Sequence, residues 1–133
     1  MLASGSDDIT IKIWNLSNNT LVATDGTIKL WDVDTYSTIT SLRGHTDVVY
    51  ALSVYSHDDK PYLASGSWDN SIKIWSLEDH TLIRTIDEGD AWIRSLTVVN
   101  IDGHHTLASG DFDGKIKRSI SCLIISSSEG TSF

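Results

Sequence analysis

Apolar and polar side chains alternate along most of the chain, in short runs separated by turn-forming residues. In the run from Ser71 to Trp75, Ile72 and Ile74 would share one face of a strand, and Lys73 and Trp75 the other. Period-two alternation bounded by Gly, Asp and Asn is typical of half-buried β-strands. No segment has apolar residues at a convincing helical spacing. The pattern therefore predicts an all-β chain folded as an antiparallel meander.

The alternating runs predict twelve strands, with tight turns between them. Asp25-Gly26 and Asp69-Asn70 tolerate positive φ, so both are expected in hairpin turns. Residues 120–125 are a candidate for a thirteenth strand. The twelve strands are expected near residues 2–6, 9–15, 20–24, 26–32, 37–42, 47–55, 62–67, 71–76, 81–86, 91–99, 105–110 and 114–118.

Two short strings recur with a fixed spacing, which is typical of repeat architectures. Leu-Ala-Ser-Gly begins at Leu2, Leu63 and Leu107, and the last two copies lie 44 residues apart. Ile-Lys-Ile or Ile-Lys-Leu followed by Trp ends at Trp14, Trp31 and Trp75, and the last two copies are again 44 residues apart. The remaining spacings, 61 and 17, are each 27 residues short of a multiple of 44. One repeat has therefore lost 27 residues, near Thr24 and Asp25.

The most complete unit runs from Gly44-His45, through Leu-Ala-Ser-Gly-Ser at 63–67 and Asp69, to Trp75. Ser76 then stands where an Asp would complete a Trp-Asp pair, a dipeptide that Trp31-Asp32 does carry. Period, strand content and spacing together resemble the WD-repeat (WD40) family of β-propellers, over residues 2–117. The resemblance implies antiparallel four-stranded blades, about three of them, arranged as an incomplete propeller or open arc.

The deletion is compatible with an intact blade. Residues 9–15, 20–24, 26–32 and 37–42 are predicted as its first to fourth strands, so two half-repeats would rebuild one unit. Pairing between 9–15 and 20–24 is the feature that tests this prediction.

The repeat decays towards the C-terminus. Glu88-Gly89 lies 44 residues after Gly44-His45, and Ser119 lies 44 after Trp75, so the last unit lacks both the His and the Trp. We assign residues 1–118 to a partial propeller, with its first unit truncated, and residues 119–133 to a divergent serine-rich tail. The tail is interpreted either as a last strand at 120–125 or as disordered sequence foreign to the repeat.

The resemblance also implies a structural hydrogen-bond chain through His45, Ser65, Asp69 and Trp75. An indole N–H can only donate, a hydroxyl can donate and accept, and an imidazole can connect both to a carboxylate. A Ser-His-Asp nucleophilic triad is the alternative interpretation, but it requires an exposed serine beside an oxyanion hole. The repeat places Ser65 within a strand, so we expect no catalytic residues and no enzymatic activity.

Partner-contacting positions are implied by the resemblance at three and five residues after the His, and at the residue before the turn Asp. Tyr, Trp and Arg are also enriched at interface hot spots. For Trp68, Trp92 and Phe112 the alternative interpretation is that they cover the core between blades. The candidate partner-binding residues are Val48, Tyr50, Trp68, Trp92, Arg94 and Phe112.

Composition narrows the classes of function. Hydrophobic residues make up 40% of the 133 residues and include five Trp, which is enough for a packed core. Eighteen acidic and ten basic residues give a net charge of −8, which argues against nucleic-acid binding. No segment reads as a membrane helix or secretion signal. We expect a soluble intracellular protein, cytoplasmic or nuclear, with no membrane partner.

Candidate ligands for a metal are few. Cys122 is the single cysteine, so neither an internal disulfide nor a cysteine cage can form. His57-Asp58-Asp59 and His104-His105 lie at predicted turns without a second cluster at metal spacing, and we interpret both as solvated loops. No metal and no cofactor are expected.

The resulting hypothesis is a non-catalytic scaffold that binds other proteins or peptides. Two alternatives stay open. Met1 directly before a mid-repeat strand, the 27 missing residues and the unmatched tail indicate a truncated gene product or pseudogene fragment without independent function. The open blade edges of an incomplete arc indicate self-association, in which two chains complete one propeller.

Overall fold

The computed structural model describes residues 2–5, 11–14, 19–22, 26–32, 35 and 37–120. These residues contain twelve β-strands, and every strand lies within two residues of a predicted one at each end. The predicted thirteenth strand and the tail beyond residue 120 lie outside the described residues. The strands are β1 Leu2–Gly5, β2 Ile11–Trp14, β3 Asn19–Val22, β4 Ile28–Trp31, β5 Thr38–Leu42, β6 Val49–His57, β7 Lys60–Ser67, β8 Ser71–Ser76, β9 Leu82–Asp87, β10 Ile93–Ile101, β11 His104–Asp111 and β12 Ile116–Ile120.

The strands form three antiparallel sheets in which each strand pairs with its neighbour in sequence. The first sheet has the order β1-β2-β3-β4-β5, the middle sheet β6-β7-β8-β9, and the third sheet, within the described residues, β10-β11-β12. No helix is found in the described part of the chain, and so none that could cross a membrane. The all-β, antiparallel prediction is confirmed.

The blade predicted across the deletion has formed. β2 pairs with β3 from Ile11↔Val22 to Trp14↔Asn19, and β3 pairs with β4 in turn. The sheet has five strands where four were expected, because β1 pairs with the free edge of β2 in the register Leu2↔Trp14. An unpaired strand edge exposes a row of backbone donors and acceptors, and β1 satisfies them here.

Two tight hairpins lie at one end of neighbouring sheets. The β6–β7 turn has positive φ at Asp58 (49°) and Asp59 (60°), and the β10–β11 turn at Asp102 (51°) and Gly103 (80°). Positive φ at both central residues is the type I′ geometry that matches the twist of paired strands. The twist-matched turns let the flanking strands pair up to the turn itself, as His57↔Lys60 shows.

The middle sheet is packed on both faces. Towards the third sheet, Ile72 and Ile74 share one cluster, while Trp75 faces the first sheet, as the alternation predicts. The cluster facing the third sheet consists of Tyr55, Tyr62, Ala64, Ile72, Ile74, Ile93 and Leu107. The cluster facing the first sheet consists of Ile28, Leu30, Leu42, Val49, Leu63 and Trp75.

Among the described residues the third sheet is packed on one face only, and we call the opposite side its outer face. Val98 packs towards the middle sheet, so Val99, which follows it in β10, lies on the outer face and is exposed. Ile116 is 83% exposed, whereas Ile72, the matching residue 44 positions earlier, is fully buried. The sheets therefore form an open arc.

Candidate functional site

A buried hydrogen-bond chain connects the four residues that sequence analysis grouped together. Trp75 Nε1 donates to Ser65 Oγ at 2.9 Å, and Ser65 Oγ lies 2.7 Å from His45 Nε2. His45 Nδ1 lies 2.8 Å from Asp69 Oδ2. Strand β7 supplies Ser65, and the neighbouring strand β8 supplies Trp75. His45 lies in the loop before β6, and Asp69 lies in the loop after β7. The chain therefore connects the middle sheet to its loops.

The protonation state of His45 follows from the geometry of the hydrogen-bond chain. Burial lowers the pKa of His45, although the hydrogen bond from its ring to Asp69 opposes that effect. In the neutral His45 ring, Nδ1–H donates to Asp69, so Nε2 accepts from Ser65. Every donor of the hydrogen-bond chain therefore has an acceptor.

Asp69 is held as a carboxylate. Burial would raise its pKa, but hydrogen bonds from Ser71, His45 and the Thr46 amide outweigh burial and lower it. Its Oδ1 accepts from Ser71 Oγ at 2.6 Å and from the Ser71 amide at 2.9 Å. The carboxylate therefore fixes the turn into β8 as well as the imidazole.

The same geometry bears on the nucleophilic-triad interpretation. Ser65 is fully buried, and its hydroxyl oxygen already accepts the indole N–H of Trp75. A nucleophilic serine must reach a substrate carbonyl beside oxyanion donors. The burial of Ser65 favours the structural interpretation.

A second group of predicted residues forms a partly exposed aromatic cluster, defined here as Tyr50, Trp68, Trp92, Arg94 and Phe112; Tyr50 and Trp68 are half-buried, and the other three are exposed. Trp68 stacks on Tyr50 with ring centroids 5.7 Å apart and on Trp92 at 4.6 Å. Trp92 meets the Phe112 ring at 5.2 Å, tilted by 57°. The cluster joins side chains from the middle and third sheets.

Arg94 closes the cluster into a ring of contacts. Its guanidinium carbon lies 5.4 Å from the Tyr50 ring centroid and 5.6 Å from that of Phe112. These distances are within the range of cation–π attraction. Each of the five side chains therefore touches two others.

Equivalent backbone hydrogen bonds place the aromatic residues. The Trp68 amide donates to the Val48 carbonyl at 2.9 Å, and 44 residues on, the Phe112 amide donates to the Trp92 carbonyl at 2.9 Å. Val48 is half-buried and joins the site through this carbonyl. Trp92 is 40% exposed and Phe112 57% exposed, whereas Tyr50 and Trp68 are half-buried.

The part of the chain that holds the hydrogen-bond chain also matches a known protein family. A family model described as "WD domain, G-beta repeat" matches residues 1–15 and 36–76, a range that includes all four residues of the hydrogen-bond chain. The chain therefore contains a partial array of WD40 repeats. The match omits residues 16–35, which contain the predicted deletion.

One curated relative aligns with part of this WD40 chain. The "WD repeat domain-containing protein 83 homolog" of Dictyostelium discoideum is 43% identical over 47 residues. The alignment spans 35% of this chain and 14% of the relative, so this chain covers about a seventh of that protein.

Solved structures agree with the WD40 fold. The computationally designed Ika4 protein has a TM-score of 0.66 at 26% identity, over 90% of this chain and 84% of that one. The β-propeller domain of Cps50 (Swd1) from Myceliophteria thermophila has a TM-score of 0.64 at 20% identity, over 84% of this chain and 41% of that one. These sheets are therefore blades of a β-propeller.

The last WD40 unit is organised differently from the one before it. Gly89, at φ 92°, occupies the position that matches His45. Asp113, which matches Asp69, is exposed, and the turn is instead held by Asp111 Oδ1, which accepts the Lys115 amide at 2.8 Å. Loss of the histidine is thus accompanied by a different carboxylate in the turn.

One contact was missed from the sequence. His57 and His105 were interpreted as parts of solvated loops, yet both lie in strands and their rings meet at 5.2 Å. Burial, followed by the nearby His57, lowers the pKa of His105. The type I′ turns are so short that these residues remain within β6 and β11. Within the described residues no group of three metal-ligating side chains is found.

Proposed function

We propose that this chain is a non-catalytic scaffold for protein–protein interaction, and that the aromatic cluster is its binding surface. The observation that carries the proposal is that five of the six candidate residues converge into one cluster, three of whose side chains, Trp92, Arg94 and Phe112, are exposed. Aromatic and arginine side chains on a surface patch are typical of binding hot spots.

The surrounding structure supports a preorganised surface. The loops that carry Trp68 and Phe112 are tied back by hydrogen bonds to Val48 and Trp92. Ile93, next to Trp92, is buried in the core between the middle and third sheets. A surface already held in its binding conformation loses less entropy when a partner docks.

Peptide selection tests the proposal. A phage-displayed library of random peptides is selected on the purified chain, and the enriched peptides are measured by fluorescence polarisation. Trp92→Ala should weaken their binding by about tenfold or more, the loss expected for a hot-spot residue. Ile83→Ala is the matched control, because Ile83 is also 40% exposed but lies on β9. Equal affinity for the parent chain and Trp92→Ala would refute the proposal.

We also propose a second candidate function, association of two copies through the outer face of the third sheet. Ile116 and Val99 are exposed there, whereas matching residues of the middle sheet are covered by the next blade. A second copy carries sheets of the same kind, which suit that face. We therefore expect the two copies to pack blade against blade, as the middle and third sheets do within one chain.

Light scattering over a range of protein concentrations tests this second candidate. We expect a defined dimer in the parent chain and a single-chain mass in Ile116→Lys. Ile83→Lys, on the exposed side of β9, is the control and should leave the dimer intact. A single-chain mass of the parent at every concentration would contradict the idea.

A further inference from the structure

We propose that Arg94 recognises a carboxylate of the partner, so that the aromatic cluster selects acidic peptide segments. This inference rests on the proposed binding role of the cluster and adds the chemistry of what is bound.

The ring of Trp68 is already covered on both faces within the cluster. Trp68 is stacked between Tyr50 and Trp92, with interplanar angles of 14° and 13°. Arg94 lies over both Tyr50 and Phe112. A cationic side chain of a partner would find no free face on Trp68 and would meet the charge of Arg94. A partner therefore meets chiefly the exposed rings of Trp92 and Phe112 and the guanidinium of Arg94.

Arg94 itself lacks an acidic neighbour. Its side chain is exposed, and among the described residues no carboxylate lies within ion-pair distance of its guanidinium. By contrast, Lys117 is 3.1 Å from Glu88, and Lys60 is 3.4 Å from Glu78. A guanidinium already positioned over two rings loses less side-chain entropy when its planar N–H fork pairs with an acid.

A carboxylate suits this arrangement. Its two oxygens accept a bidentate pair of guanidinium N–H bonds, which are the stronger, charge-assisted kind. Apolar residues beside the acid would cover Trp92 and Phe112, the two exposed rings. The exposed Asp113, next to Phe112, would repel an acidic peptide and attract a basic one. Removing the charge of Asp113 should therefore change peptide affinity in the opposite direction to removing the charge of Arg94.

The peptides selected on the full chain are sequenced and then measured on three variants. We expect enrichment in Asp and Glu, and a loss of affinity of about tenfold or more in Arg94→Gln, the range of a charged hydrogen bond. Arg94→Lys should recover only part of it, because an ammonium lacks the planar fork. Asp113→Asn should tighten the same peptides several-fold.

A double-mutant cycle separates recognition from structural damage. The enriched acid of the peptide is changed from Glu to Gln and measured on the parent chain and on Arg94→Gln. Coupling between the two changes is expected, since a merely structural role for Arg94 would weaken both peptides equally.

The outcomes separate the two proposals. Two results would overturn the carboxylate inference while the binding surface stands. One is a set of peptides whose binding depends on Trp92 but which carry no acid. The other is a set of peptides whose affinity rises when they carry Lys or Arg and falls in Asp113→Asn. Failure to select any peptide that distinguishes the chain from Trp92→Ala would refute the binding surface, and the inference with it.

Discussion

At the scale of single residues, two tryptophans seven positions apart have opposite roles. Trp75 is buried and donates to Ser65, whereas Trp68 is half-buried and belongs to the aromatic cluster. We expect Trp75→Ala to lower the free energy of unfolding by about 3–5 kcal/mol, as large aromatic truncations in cores do. Trp68→Ala should cost clearly less stability but weaken peptide binding. Urea unfolding measures both, and equal losses of stability would contradict the two roles.

The four residues of the hydrogen-bond chain were predictable from the sequence, but the contacts that support them were not. His45, Ser65, Asp69 and Trp75 could be grouped from the repeat because each has a complementary set of donors and acceptors. The support for Asp69 from Ser71 and the Thr46 amide could not, because serine and backbone amides carry no distinguishing pattern. Their positions depend on the conformation of the turn.

Stability should fall as the solution is acidified. The folded pKa of His45 is lowered below its ordinary 6.5, mainly by burial. The unfolded chain therefore binds more protons as pH falls below 6.5, and stability decreases until the folded pKa is passed. One histidine contributes at most about 1.4 kcal/mol per pH unit. Urea unfolding between pH 7 and pH 5 measures this slope.

His45→Gln is the variant that identifies the source of this slope. It should be less stable than the parent at pH 7 and show a flatter pH dependence, because the titrating ring is gone. His105 has a lowered pKa as well, so His105→Gln should remove only its own share. An unchanged slope in both variants would contradict the assignment. Asp69, whose pKa is lowered from 3.8, adds a loss of the same sign at lower pH.

At the scale of strands, two glycines test how closely the blades pack. A Cβ on Gly66 would clash with Ile93 Cγ2 and lie 3.0 Å from Ile93 Cβ, and Ile93 is buried between the middle and third sheets. We expect Gly66→Ala to cost about 1–3 kcal/mol, the usual result of overpacking a core. Thermal or urea unfolding reads out the change.

Gly110 is the matched position, 44 residues later in the same Leu-Ala-Ser-Gly string. A Cβ there would meet Ser95 Oγ, the end of an exposed side chain that can rotate away. Gly110→Ala should therefore cost much less than Gly66→Ala. A larger cost at Gly110 would mean that the blades do not approach each other most closely at Gly66.

Strand positions were predictable from sequence, but strand partners were only partly so. Alternation and the 44-residue period located all twelve strands, and spacing located the rebuilt blade. The pairing of β1 with β2 was not foreseen, since alternation defines the faces of a strand and not the edge it joins. The contact of His57 with His105 was missed for a related reason. It joins two hairpins that only the packing of the sheets brings together.

At the scale of the whole molecule, the three sheets differ in how much of their surface is covered. In the described part of the chain, the middle sheet has a core cluster on each face, whereas the third sheet has one on its inner face alone. Regions with fewer buried apolar contacts open at lower free energy than the rest of a fold. The third sheet should therefore open more readily than the middle one.

Native-state amide hydrogen exchange can measure this difference with an internal control. Residues 63–66 of β7 and 107–110 of β11 have the same sequence, Leu-Ala-Ser-Gly, and both strands are paired on each side. The intrinsic exchange rates of residues 64–66 and 108–110 are thus matched, because each of these amides also follows the same residue type, and packing above and below the sheet is what differs. We expect the amides of 64–66 to exchange more slowly than those of 108–110, because opening them requires the loss of both core clusters. Equal protection would show instead that the sheets unfold as one cooperative unit, with the contact between β6 and β10, including the bond from the Val98 amide to Ser53 Oγ, strong enough to couple them.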